Sequence, residues 1–122
     1  RAIARGQITV PKRFHGGAFD VIVHFHGHEP ARKELVRVLD GPILVGIDLG
    51  VGSGPYETAF RPRGTLRALL DSVEHALASR LERRARVRRI ALSAWSAGYG
   101  AVQNILADPW AMQHVDSVVL QL

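Results

Sequence analysis

The chain has 122 residues, enough for one domain with its own core and too few for a second. Its hydrophobic fraction of 47% is that of a globular protein, and no apolar run approaches the roughly 18 residues of a membrane-spanning helix. Cysteine is absent, which excludes a disulfide framework and thiol chemistry.

The opening residues 1–5 carry charge without the apolar stretch of a secretory signal, so no membrane partner is expected and the compartment is left open. The chain starts without methionine, as a trimmed or excised piece does. Lys and Arg outnumber Asp and Glu by 16 to 11, a formal charge of +5. Almost all of the basic charge is arginine, and six of the arginines crowd into RLERRARVRR at residues 80–89. Cations suit the C-terminal end of a helix, and no aromatic residues interleave to stack bases. A solvated surface is expected there, with no nucleic acid as partner.

In chain order, QITVPKRF (7–14) reads as a short strand, followed by a Gly-Gly turn and the apolar strand DVIVHFHG (20–27). Pro30 opens a helix carrying Leu35, Val36, Val38 and Leu39, and Asp40-Gly41-Pro42 stops it. PILVGIDL (42–49) is a near-continuous apolar strand of the kind buried on both faces of a parallel sheet. The connection VGSGPYETAFRPRGT (51–65) reads as a long, glycine-rich functional loop. Leu66, Leu69, Leu70, Val73, Leu77 and Leu81 then form one helical stripe. The strand RRIALSA (88–94), a helix from Ala97 to about Ala107 and a final strand VDSVVLQL (115–122) complete the chain.

Strands alternating with helices predict an α/β domain, a mostly parallel sheet flanked by helices. The last strand is strongly apolar, and an uncovered sheet edge invites aggregation. Residues 1–122 are therefore expected to be part of a domain, completed by more of the same chain or by a complementing subunit.

Ser96 sits where the strand 88–94 gives way to a helix. Such a turn throws its side chain above the sheet and brings the residues two positions away nearly into contact, so they must be small. Here they are Ala94 and Gly98, in Ala94-Trp95-Ser96-Ala97-Gly98. The helix start offers unpaired N–H groups and a positive dipole to a developing oxyanion. Upstream, His26-Gly27-His28 closes the strand that begins at Val21.

With these motifs the sequence resembles the α/β-hydrolase superfamily of serine esterases, lipases and related acyl hydrolases, over nearly the whole chain. Alanine stands at position 94 where the family pattern has glycine. The resemblance implies Ser96 as nucleophile, and an oxyanion hole from the backbone N–H groups of Ala97 and of Gly27 or His28. It implies a loop with Gly52, Ser53 and Tyr56 beside the pocket, a small ester or amide substrate, and no cofactor. The family's acid and histidine follow the elbow in chain order, which puts them beyond residue 122.

Two other readings compete. In one, the chain is a non-catalytic hydrolase-like remnant, or a split subunit that a partner completes. Alternatively, His24, His26 and His28 alternate, and on a strand His24 and His26 share a face suited to a metal. Glu29 directly follows His28, which completes no familiar ligand pattern, so histidines that order the oxyanion loop are preferred and no metal is expected. Asp48 at a strand end reads equally as an acid or a loop cap, Trp95 as packing beneath the elbow, and His75 and His114 as solvated.

Overall fold

The computed structural model describes residues 2–3, 6–26, 41–49, 54–95 and 98–121. The strands are β1 (Ala2–Ile3), β2 (Gly6–Thr9), β3 (Gly17–Phe25), β4 (Ile43–Ile47), β5 (Ala85–Trp95) and β6 (Val115–Gln121). They form one sheet in the order β1-β2-β4-β3-β5-β6. β2 runs antiparallel to both neighbours, while β4, β3, β5 and β6 are mutually parallel. The expected α/β class with a mostly parallel sheet is therefore present. β4 lies between β2 and β3, and all five of its residues are buried, as its unbroken apolar run requires.

The link from β4 to β5 passes over β3 through α1 (Gly54–Ala59) and α2 (Thr65–Leu81). The link from β5 to β6 carries α3 (Tyr99–Leu106) and α4 (Pro109–His114). Both advance the same way across the sheet, so right-handed crossovers set their helices on one face. The contacts agree. Asp108, the N-cap of α4, accepts from the Gly64 N–H ahead of α2 at 2.8 Å, and the Arg67 guanidinium lies 5.5 Å from the centre of the Trp110 ring. Leu66, Leu69, Leu70, Val73 and Leu77 are all buried, each contributing about 1.5–3 kcal/mol over the exposed state. Leu81, last in the stripe, is half-buried.

Several expected boundaries are corrected. The first strand stops at Thr9 rather than Phe14, because Pro11 begins a turn in which the Phe14 N–H bonds the Pro11 carbonyl at 3.1 Å. The Gly-Gly turn forms as expected, with Gly16 and Gly17 at φ 123° and 89°. The connection 51–65 contains the helix α1 and is not wholly loop. α4 was not anticipated, although Asp108-Pro109 carries the signal of an N-cap followed by proline in the first turn. α3 spans Tyr99–Leu106, and Ala97, where the helix was expected to start, lies outside the described residues. The helix expected from Pro30 falls outside the described residues.

β5 begins at Ala85 rather than Arg88, so Arg86 belongs to the strand together with Arg88 and Arg89. Pairing with β6 starts at Ile90, which leaves the first half of β5 as an edge. Carboxylates meet its N–H groups: Glu74 accepts from Val87 at 2.7 Å and Asp116 from Ile90 at 2.9 Å. Arg88 grips Asp20 with two hydrogen bonds of 2.9 and 3.0 Å, which holds the Asp20 carboxyl below the usual range. The other arginines of residues 80–89 are exposed. β6 is the outer strand among the described residues, with Val119 and Leu120 about half exposed (51% and 53%). No helix among the described residues is long and apolar enough to cross a membrane.

Candidate functional site

The parallel strands end level. Phe25 of β3 pairs with Ile47 of β4 on one side and Ala94 of β5 on the other, and Ala94 pairs in turn with Leu120 of β6. Beyond β3 the chain returns to β4 on one flank, whereas beyond β5 it goes on to β6 on the other. Adjacent strands whose onward connections diverge open a crevice at their carboxyl ends, the usual ligand position in an open α/β sheet. At these strand ends His26 and Asp48 are the first residues beyond β3 and β4, and Trp95 is the last residue of β5.

The small residues flanking Ser96 have distinct tasks. Ala94 is fully buried in the sheet. Gly98, also buried, is the N-cap of α3, and a Cβ there would lie 2.5 Å from the Phe25 carbonyl oxygen and 2.7 Å from the Phe25 Cβ. The start of α3 thus rests directly on the exit of β3, a contact only glycine permits. Two residues on, Gly100 faces the Glu57 side chain, and the Asn104 amide donates to the Glu57 carbonyl at 2.8 Å, which locks α3 to α1. Ser96 and Ala97 lie outside the described residues, as do Gly27, His28, Gly52 and Ser53.

Tyr56, expected in a loop beside the pocket, is instead a fully buried residue of α1. Its hydroxyl donates to Asp48 Oδ1 at 3.1 Å, accepts from the Leu49 N–H at 2.8 Å and meets His26 Nδ1 at 3.2 Å. Burial raises its pKa, opposed by the Leu49 N–H and reinforced by the Asp48 charge. His26 takes a left-handed backbone, φ 74°, and its N–H bonds the Ile47 carbonyl at 2.8 Å. The His26 and Tyr56 rings meet edge to face at 5.7 Å. Asp48 is therefore a partner of Tyr56, closer to the expected loop-capping role than to a free acid.

One step below the strand ends, His24 is 1% exposed and its Nδ1 lies 2.9 Å from the Ser93 hydroxyl, its register partner on β5. The half-buried Trp95 sets its ring edge to face on His24 at 5.7 Å. The left-handed φ at His26 ends the strand alternation, so His24 and His26 do not present one ligand face, and their Nδ1 atoms serve different partners. His28, the third member of that array, is outside the described residues. Among the described residues no cluster of three or more His, Asp or Glu side chains is placed to hold a metal. His75 is exposed on α2, while His114 stacks on Trp110 at 4.3 Å with its Nδ1 2.7 Å from the Trp110 carbonyl.

Ser93 was not singled out by the sequence. It stands 69 positions from His24, and only strand pairing joins them. No protein-family model matches the chain, and neither a curated protein nor a solved structure matches it significantly. The site is thus argued on its own geometry.

Proposed function

We propose that this chain carries the nucleophile half of a serine acyl hydrolase of the α/β-hydrolase type, acting on ester or amide substrates. The observation that carries the reading is the seat of Gly98 on the Phe25 carbonyl. It sets the helix that follows Ser96 against the strand that runs into His26-Gly27-His28, at a divergence of connections where ligands bind. A nucleophile elbow needs that juxtaposition. The N–H of the residue after the serine and an N–H from the loop after the third strand must converge on one oxygen. In this chain those are Ala97 and Gly27 or His28.

In the reaction so assigned, the Ser96 hydroxyl attacks the acyl carbon while a general base takes its proton. The family pattern places that histidine and its acid after the elbow in chain order. The carbonyl oxygen gains charge and is met by the two N–H groups, the alcohol or amine leaves, and water releases the acid from the acyl-serine. No metal or organic cofactor enters these steps.

Intact mass after treatment with a fluorophosphonate tests the reading. One adduct on the native protein, lost in Ser96→Ala, supports it. A native protein that takes up no adduct overturns it, and leaves a non-catalytic scaffold of hydrolase type.

A further inference from the structure

Packed against the ends of β3 and β4 is a tyrosine that the assigned chemistry does not use. Tyr56 is fully buried, yet its hydroxyl reaches groups from the exits of both β3 and β4. We propose that Tyr56 is a positioning residue: steered by Asp48, its hydroxyl fixes His26 as the Nδ1–H tautomer and anchors the chain leaving β3, where the oxyanion loop begins.

Counting hydrogens leads there. A backbone N–H can only donate, so Leu49 uses one lone pair of Oη. A carboxylate can only accept, so the one hydroxyl hydrogen goes to Asp48 Oδ1. With its hydrogen committed to Asp48, the hydroxyl meets His26 Nδ1 at 3.2 Å through a lone pair, which needs the hydrogen on Nδ1. In the neutral ring Nε2 is left as the acceptor.

The second part concerns the backbone. His26 holds φ 74°, a left-handed backbone that a non-glycine residue keeps only where its surroundings offset the strain. Two ties impose it here: the His26 N–H on the Ile47 carbonyl, and the ring on Tyr56. The first runs directly to the end of β4 and the second reaches Asp48 and Leu49 through the Tyr56 hydroxyl, so the β3 exit is braced against a neighbouring strand end. Gly27 and His28, the candidate donors on the hydrolase reading, are the next residues in the chain. An oxyanion donor that loses its aim forfeits rate rather than binding, so on that reading a loosened His26 is expected to show in the rate.

The consequence for reactivity rests on the hydrolase reading; the tautomer does not. Tyr56→Phe keeps the ring and removes only the hydroxyl. Nitrogen chemical shifts of the His26 ring, read where imidazole is neutral, are expected to show hydrogen on Nδ1 in the native protein and a shift towards Nε2–H in Tyr56→Phe. Hydrogen on Nε2 in the native protein, or no change in the variant, overturns the proposal. The rate of fluorophosphonate labelling is expected to fall about tenfold in Tyr56→Phe, a fraction of the loss on deleting an oxyanion donor. Asp48→Asn in the otherwise native protein, which still accepts from Oη, should keep labelling within about twofold of native, and a loss as large as that of Tyr56→Phe overturns the steering by hydrogen bond. Equal rates in native protein and Tyr56→Phe overturn the positioning role and leave the hydrolase reading intact. Failure of the native protein to label, with hydrogen found on Nδ1, removes the hydrolase reading and the catalytic consequence but not the clamp on His26.

Discussion

Replacing Gly98 by alanine probes how α3 meets β3. The added methyl would sit 2.5 Å from the Phe25 carbonyl oxygen and 2.7 Å from the Phe25 Cβ, well inside van der Waals contact. Neither atom can turn aside, because β3 is paired on both edges, with β4 and with β5. Relief must come from moving the whole start of α3. Overpacking of this kind costs about 1–3 kcal/mol, and a backbone obstacle puts the change in the upper part of that range. Helix propensity gives nothing back, since alanine is a poorer N-cap than glycine. A loss of about 2–3 kcal/mol is expected.

Gly100→Ala is the control. Its methyl meets the side chain of Glu57, which is only half-buried and can swing towards solvent. Within a helix the exchange also recovers up to about 1 kcal/mol of propensity. The net change is expected within about 1 kcal/mol of zero. Urea denaturation of both variants, compared at equal slope, measures the difference. If Gly98→Ala is no worse than Gly100→Ala, α3 does not start against β3, and the elbow geometry falls with it.

Asp108 caps α4 through the Trp110 N–H at 3.1 Å and also takes the Gly64 N–H at 2.8 Å. Asp108→Ala should therefore cost about 2 kcal/mol in denaturant unfolding, about half from each bond, with Asp108→Asn recovering most of it. Ser93→Ala withdraws the hydroxyl bonded to buried His24, and a loss of about 1–3 kcal/mol is expected by the same measurement; a neutral result would mean the pair contributes nothing. Burial raises the Tyr56 pKa above the ordinary 10.0, so the folded state favours the protonated phenol. That contribution is complete below pH 10.0 and is lost as pH rises through the folded value, so the stability advantage of native protein over Tyr56→Phe should shrink in alkali. An advantage that grows above pH 10.0 would contradict the sign of the shift.

Local pattern alone determined a good part of this protein. The stripe from Leu66 to Leu77 is legible because a helix repeats its buried face every three to four residues, and all five of those side chains are buried. The apolar runs of β3 and β4 are legible because parallel strands buried on both sides need few polar positions. The small residues at 94 and 98 point to a tight turn for a reason that is local as well. Tertiary structure decided what depends on neighbours far away in the chain. The Gly-Ser-Gly-Pro start of 51–65 reads as loop, yet Tyr56 is drawn inward by partners at the ends of two strands, and a helix forms around it. The arginines around it conceal the start of β5 at Ala85, where the edge N–H of Val87 is taken by a glutamate from α2. His24 and Ser93 meet only because β3 and β5 pair, and strand order is set by which crossovers bury both faces of the sheet, a global condition that no window of sequence contains.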